Sequence, residues 1–225
     1  KGMEWRSAFP LFFALMALAF FAVMYLRVEE TRADTPPSLR SSLSLLKEPV
    51  FLFAVIGIFL YVGAESCMSR FLNPTLQSFG MQADAANKWG PTLFFLMLTI
   101  GRLLGGAVLT VMSPRGCFSL SAIIGLLGSG ALVSGLQGLA IPGVIAAGLG
   151  FANIWPMLFS ITVEKKPECA NELSGLMCMA ISGGALVPLL MGLLADRGAG
   201  PLAYAVPAAC FAYLVMLALR FPREA

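Results

Sequence analysis

The chain alternates between long apolar runs and short polar connections. Each run contains 18 to 23 residues, and a helix of about 20 apolar residues spans the hydrocarbon core of a bilayer. The runs lack the two-residue alternation of barrel strands, so they predict helices whose backbone groups bond internally. We therefore predict an all-α integral membrane protein with seven transmembrane helices, at residues 8–26, 50–72, 91–112, 117–136, 143–163, 173–195 and 202–219.

One connection is much longer than the others. Residues 27–49 combine charged residues, a Pro-Pro pair and a serine-rich stretch, and this composition is typical of a linker. Its second part, residues 38–46, predicts a short amphipathic helix on the membrane surface.

Composition removes several classes of function. Hydrophobic residues make up 58% of the chain and charged residues 12%, whereas a soluble domain has about 25% charged residues. There is no histidine, and the five cysteines show no CxxC spacing. We therefore predict no metal site, no cofactor and no enzyme, because the chain offers no nucleophile paired with a base. The net charge of +3 leaves no footprint for nucleic acid.

The distribution of Lys and Arg predicts the orientation of the chain. Nine of these residues fall on one side of the predicted spans and five on the other. Because cytoplasmic loops carry the excess of Lys and Arg, we expect the linker and the C-terminus in the cytoplasm and the N-terminus outside. The localisation predicted is the inner (cytoplasmic) membrane, with lipid as the surrounding partner.

Two ionisable residues fall near mid-membrane. Glu65 lies four residues after Tyr61, on the same helix face, and Arg102 lies near the centre of the third span. An ionised side chain at this depth costs about 2.5–3.5 kcal/mol on insertion scales, so both are expected to face the interior or a wet cavity. Glu65 is then a substrate acceptor or proton carrier. The alternative is a buried Glu65–Arg102 pair that holds helices together.

A second polar cluster lies in the fifth span. Asn153 precedes Trp155 and Pro156, and proline bends a helix because it removes one backbone donor. An indole beside an amide suits a sugar, which presents apolar C–H faces and polar edges. We therefore predict Tyr61, Glu65, Asn153 and Trp155 as substrate-binding residues. The alternative is that Asn153 and Trp155 only pack helices together.

Small residues at helical spacing predict close packing of helices. Gly101 and Gly105 flank Arg102 with a GxxxG spacing, and a Gly183–Gly184 pair lies at the centre of the sixth span. We assign these four glycines and Arg102 to gating or helix packing.

The six later runs suggest two triplets, because the first helix of each triplet carries the polar residues. Nested three-helix repeats of inverted topology are a transporter architecture. An odd number of spans, with a 23-residue linker after the first, leads us to expect a fragment: one helix left from a preceding unit, followed by a six-helix unit.

Several motifs together resemble a known family. The segments FLYVGAESCMSRFL, GRLLGGAVLTVMSPR, NIWPMLFSITV and SGLMCMAISGGALVPLLMGLLAD are similar, in order and spacing, to the C-terminal half of the fucose–galactose–glucose:proton symporters. This family is a branch of the major facilitator superfamily.

The resemblance implies half of a twelve-helix transporter. Residues 1–26 would be the last helix of the N-terminal half, residues 27–49 the cytoplasmic linker and residues 50–225 the C-terminal half with its 3+3 inverted repeats. Function would be symport of a hexose or 6-deoxyhexose, with a proton, by alternating access. The partners would be that sugar, the proton and the missing N-terminal half, which carries the proton-linked carboxylates in this family. The alternative is a carrier of another small solute or a drug/proton antiporter.

Overall fold

The computed structural model describes residue 6, residues 8–26 and residues 38–220. The chain divides into two compact units, residues 1–36 and residues 37–225. Among the described residues of the first unit, helix α1 (Ala8–Tyr25) is apolar along its whole length and has no buried side chain. The predicted positions of the two chain ends and of residues 27–37 lie outside the described residues.

The second unit consists of helices, and no strand occurs among its described residues. A short helix, α2, precedes the longer helices of a bundle. Their bounds are Leu39–Leu45 (α2), Pro49–Ser78 (α3), Ala83–Val108 (α4), Pro114–Val133 (α5), Gln137–Phe151 (α6), Ile154–Glu164 (α7), Ala170–Ala180 (α8), Gly183–Asp196 (α9) and Ala205–Arg220 (α10). Short 3-10 helices occupy Pro167–Cys169 and Gly200–Tyr204.

The prediction of seven transmembrane helices is confirmed. Seven helical segments of the described chain are long and apolar enough to cross a membrane, and six of them lie in the second unit. Their ends differ from the predicted ones, most clearly around α4, which begins at Ala83 rather than at residue 91. Residues 83–90 include the polar Asp84, Asn87 and Lys88 and extend the helix before the apolar run, so hydropathy alone places the start too late.

Two of the spans are interrupted near their middles. The fifth span breaks at Ala152 and Asn153, between α6 and α7, and the sixth breaks at Ile181 and Ser182, between α8 and α9. The first break lies four residues before Pro156, whose missing N–H leaves the Ala152 carbonyl without its helical donor. The predicted bend is therefore a break in the helix.

Helix α2 packs against the bundle. The side chain of Ser38 caps its start, and Leu45 is buried with Phe51, Leu173 and Leu176. A helix is thus present at the predicted position; its last residue, Leu45, packs against the bundle, whereas Leu39 and Leu43 are exposed. Just after it, Glu48 forms an ion pair with Lys166, at 2.8 Å, between the starts of α3 and the sixth span.

Aromatic rings fill the centre of the bundle. Phe151, at the end of α6, contacts Tyr61 of α3, Phe94 of α4 and Phe211 of α10, with ring centroids 4.6 to 5.6 Å apart. All four side chains are almost fully buried. This cluster fixes the end of α6, and with it the position of the break that follows.

Candidate functional site

An open cavity of about 370 Å³ lies where both interrupted spans approach α3 and α4. Three of the four predicted substrate-binding residues line it together with Arg102, which the sequence analysis assigned to gating or packing. The lining residues are Tyr61, Val62, Glu65, Arg102, Trp155, Pro156 and Ile181. The cavity therefore brings together a carboxylate, a guanidinium and two aromatic side chains from three different spans.

Helix α3 contributes Tyr61 and Glu65, which lie one turn apart on the same face. Only 1% of Tyr61 is exposed, and its hydroxyl donates a hydrogen bond to the Phe151 carbonyl at 3.1 Å. This bond ties α3 to the last residue of α6. Glu65 is partly exposed, so its carboxylate borders the open space.

Glu65 and Arg102 share the cavity without pairing directly. No ion pair within 4.0 Å joins them, although such a pair does join Lys166 and Glu48. The phenol of Tyr61 interacts electrostatically with both Glu65 and Arg102, and all three residues line the same cavity. The carboxylate of Glu65, an acceptor, and the guanidinium of Arg102, a donor, therefore border the same cavity without an ion pair within 4.0 Å.

The break at residues 152–153 is fastened to α4 by two hydrogen bonds. The guanidinium of Arg102 donates from Nε to the Ala152 carbonyl at 3.3 Å, and the amide of Asn153 donates to the Gly101 carbonyl at 2.9 Å. Each of these two hydrogen bonds thus joins a side chain of one span to the backbone of the other. The two hydrogen bonds fix where α7 begins, and therefore where Trp155 enters the cavity.

Asn153 itself does not line the cavity. It is half-buried and faces α4, where a Cβ atom on Gly105 would collide with its side-chain amide. The bulk of the amide therefore requires glycine at position 105. A Cβ atom on Gly183 would likewise collide with the Phe59 carbonyl, so α9 begins in direct backbone contact with α3.

The two other predicted packing glycines also lie close to neighbouring segments. A Cβ atom on Gly101 would lie 2.6 Å from the Ala152 Cβ, and one on Gly184 would lie 2.9 Å from the Ser66 hydroxyl oxygen. Both positions are crowded by neighbouring helices.

Trp155 enters the cavity on the first turn of α7. Its ring stacks on Phe159 with centroids 5.1 Å apart and an angle of 14° between the ring planes. Phe159 lies one turn later on α7, so the helix carries its own aromatic support for the indole. One indole face is thereby covered, while the residue still lines the open space.

Sequence reasoning missed three lining residues. Val62 and Ile181 are apolar residues in apolar runs, and no sequence signal separates them from their neighbours. Ile181 reaches the cavity because the sixth span breaks there. Pro156 carried a usable signal, since a proline three residues after Asn153 indicates irregular backbone.

Interrupted helices that meet at a cavity are a recurrent feature of secondary transporters. The sequence profile described as "Major Facilitator Superfamily" matches residues 2–188, which is most of the chain. The chain belongs to the major facilitator superfamily. It is a multi-pass membrane protein, as its seven apolar helices also indicate.

Named relatives lie among sugar transporters of this superfamily. The chain is 29% identical over 221 residues to a "Glucose/galactose transporter" of Brucella abortus, covering 92% of this chain and 52% of the relative. It is 27% identical over 226 residues to the "L-fucose-proton symporter" of Escherichia coli, covering 95% and 50%. The chain thus spans about half the length of the curated relatives it matches.

Solved structures give the same fold. The crystal structure of the Escherichia coli fucose:proton symporter superposes with a TM-score of 0.83 at 21% sequence identity, covering 97% of this chain and 55% of that one. A second structure, titled as a major facilitator transporter in the outward conformation, gives a TM-score of 0.80 at 22% identity, with the same coverage. The fold of the chain is therefore that of about half of such a transporter.

Proposed function

We propose that this chain forms half of a twelve-helix transporter, which moves a hexose or 6-deoxyhexose together with a proton by alternating access. The observation that carries the proposal is the cavity lined by Tyr61, Glu65, Arg102 and Trp155. The relatives named as glucose/galactose transporter and fucose–proton symporter support the same substrate class.

The chemistry of the lining residues suits a sugar. The Glu65 carboxylate only accepts hydrogen bonds when ionised, and the Arg102 guanidinium only donates them. Hydroxyl groups both donate and accept, so one sugar ring can engage both residues at once. The indole of Trp155 offers an apolar face to the C–H groups of the ring and one N–H donor at its edge.

Separation of the two charges also supports a ligand between them. In a direct buried ion pair, Glu65 and Arg102 would already satisfy each other. A sugar would then have to break the pair, and this cost would offset much of its binding free energy. Because Glu65 and Arg102 are not joined within 4.0 Å, a hydroxyl can bridge them without breaking an ion pair. Glu65 acts in this proposal as acceptor for the sugar.

Asn153 and the four glycines have a supporting role in this proposal. The hydrogen bond from Asn153 to the Gly101 carbonyl holds the break in place rather than meeting the substrate. Arg102 serves both purposes, because its Nε supports the Ala152 carbonyl while the residue lines the cavity.

The orientation in this proposal follows from the Lys and Arg bias. We place the protein in the cytoplasmic membrane with the linker and C-terminus inside and the first residues outside. The missing partner is the other half of the same transporter, which completes the substrate pathway.

Uptake of labelled hexoses into energised vesicles by the complete transporter tests the proposal. We expect accumulation of one or more hexoses, abolished by an uncoupler that collapses the proton gradient. Glu65→Gln should impair uptake, whereas Glu168→Gln, the same chemical change at an exposed turn, should not. Efflux of lipophilic cations with no hexose uptake would favour a drug/proton antiporter instead.

A further inference from the structure

A second cavity lies apart from the candidate substrate site. It is a groove of about 210 Å³ between the start of α3 and the end of α10, and it shares no lining residue with the cavity around Glu65. Its walls are mainly apolar. The main lining residues are Val50 and Phe53 of α3, and Tyr213, Met216, Leu217 and Arg220 of α10.

The groove suits a slender apolar occupant. The hydroxyl of Tyr213 donates to the Phe53 carbonyl at 2.9 Å, so these polar groups satisfy each other and require nothing from a ligand. The volume of 210 Å³ is below the roughly 300–1,000 Å³ of pockets that hold drug-sized molecules. Since α3 and α10 are both membrane-spanning helices, a lipid acyl chain is the occupant at hand.

The positively charged side chain of Arg220 lies at the mouth of the groove. Arg220 is exposed at the last position of α10, and no hydrogen bond or ion pair between described residues engages its guanidinium. The nearby Arg115 behaves differently, since its guanidinium donates to the Ala218 and Leu219 carbonyls. Arg115 thus secures the last turn of α10, and Arg220 remains available to a ligand.

The start of α3 adds a second favourable feature for an anion. Pro49, a lining residue, is the first residue of this 30-residue helix, and the amino end of a helix carries a partial positive charge. The adjacent acid, Glu48, is already neutralised by Lys166 at 2.8 Å. The carboxyl end of α10 carries the opposite partial charge at the same mouth, so the full positive charge there is that of Arg220.

We propose that this groove binds an anionic phospholipid, with an acyl chain between α3 and α10 and the headgroup phosphate on Arg220. Arginine suits a phosphate because its planar guanidinium donates two parallel hydrogen bonds. The apolar walls hold the chain, and the arginine selects the charge of the headgroup.

Native mass spectrometry of the complete transporter with added lipid tests this site. The wild-type protein should retain phosphatidylglycerol in preference to phosphatidylcholine. Arg220→Gln should weaken retention of phosphatidylglycerol about fivefold, the effect expected for one basic residue at a lipid surface. The matched control is Arg197→Gln, which removes the same charge from an exposed position that precedes the start of α10, at the opposite end of that helix. The control should retain lipid as the wild type does.

Two more variants separate the contributions of charge and groove. Met216→Trp fills the groove and leaves Arg220 intact, so it should also reduce retention of phosphatidylglycerol. Arg220→Lys keeps the charge but loses the paired donors of the guanidinium, so it should retain more phosphatidylglycerol than Arg220→Gln and less than the wild type. It can be compared directly with the wild type if Arg220→Gln fails to fold. Equal losses in Arg220→Gln and Arg197→Gln, or full retention in Met216→Trp, would overturn the proposal. Displacement of the lipid by millimolar inorganic phosphate alone would also overturn it, as a site for free phosphate.

Discussion

Arg102 donates a hydrogen bond from its Nε to the main-chain carbonyl of Ala152 at 3.3 Å. That carbonyl is the one which Pro156, four residues later, leaves without a helical donor. A side chain of α4 thus replaces the missing backbone bond at the break of the fifth span. The replacement donor, Arg102, also lines the cavity. The shape of the site and the backbone conformation of the fifth span therefore depend on the same arginine.

Replacing Arg102 by Met should therefore destabilise the protein. The Ala152 carbonyl would lose its donor, and loss of a hydrogen bond to a charged group costs about 1.5–3 kcal/mol in general. Because Arg102 is exposed to the cavity, water replaces part of the bond, and we expect about 1 kcal/mol or less. Thermal unfolding in detergent measures the effect. Arg197→Met, at an exposed site, should change the melting temperature little, and an equal change in both variants would contradict the role of the bond.

A pair of variants tests the contact between Gly105 and Asn153. Gly105→Ala places a Cβ atom against the amide of Asn153 and should cost about 1–3 kcal/mol, as overpacking does. Combining it with Asn153→Ala should give less than the sum of the two single effects, with a coupling of about 0.5–3 kcal/mol. The free energies of unfolding of the three variants give this coupling.

Gly106→Ala is the control for this pair. A Cβ atom on Gly106 would meet nothing within 4 Å, and Gly106 follows Gly105 directly on the same helix. The control should be neutral or slightly stabilising, because alanine has the higher helix propensity. Additive effects of Gly105→Ala and Asn153→Ala would show that the two sites do not interact.

The ion pair between Lys166 and Glu48 predicts a dependence of stability on alkaline pH. The hydrogen bond to Glu48 raises the pKa of Lys166 above 10.5, its ordinary value. A folded-state pKa raised in this way stabilises the fold below pH 10.5, and the contribution disappears as the pH rises through the folded-state pKa. The melting temperature of the wild type should therefore fall in this range more steeply than that of Lys166→Gln.

Lys47→Gln is the comparison for this measurement, since Lys47 is an exposed lysine next to Glu48. It should keep the wild-type slope of melting temperature against pH. If melting temperature falls equally with pH in the wild type and in Lys166→Gln, the ion pair does not cause the dependence on pH.

Trp155 predicts a spectroscopic signal of sugar binding. The chain has three tryptophans, of which Trp155 lines the cavity and Trp89 is half-exposed on α4. Addition of a transported hexose should change the fluorescence of the wild type and of Trp89→Phe, and this change should be lost in Trp155→Phe. Since Phe lacks the N–H donor, affinity in Trp155→Phe should fall by about 0.5–1.5 kcal/mol. A fluorescence change that survives in Trp155→Phe would place the sugar elsewhere.

Much of the architecture can be predicted from the sequence because lipid imposes simple rules. Every apolar run of about 20 residues must be helical, and the spacing of Tyr61 and Glu65 places them on one face whatever the surrounding fold. Helix ends are less predictable, since Pro91 interrupts the hydropathy pattern yet lies inside α4. Proline marks a probable boundary in sequence, whereas tertiary packing determines where the helix starts.

The orientation of Asn153 depends on tertiary contacts that sequence patterns do not contain. An amide at mid-membrane is equally suited to a sugar and to a neighbouring backbone carbonyl. It faces α4 because Gly105 allows close approach there and because the Gly101 carbonyl is within reach. Ile181 shows the same limit, since only the break in the sixth span brings this apolar residue to the cavity.

The central claim is that Glu65 faces the substrate rather than serving as half of a structural pair with Arg102. A structural pair would leave Arg102 stranded in Glu65→Gln, at a cost of about 3–5 kcal/mol, and folded yield would fall sharply. A substrate ligand in an open cavity predicts normal folding with weaker sugar binding. Gln keeps the shape and one acceptor but loses the charge-assisted hydrogen bond, worth about 1.5–3 kcal/mol.

The most direct test is a paired measurement on Glu65→Gln in the complete transporter: folded expression in the membrane and affinity for a transported hexose. We predict wild-type expression and an affinity lower by about tenfold or more. Lost expression that is rescued by Arg102→Met would contradict the account, and so would normal expression with unchanged affinity and uptake.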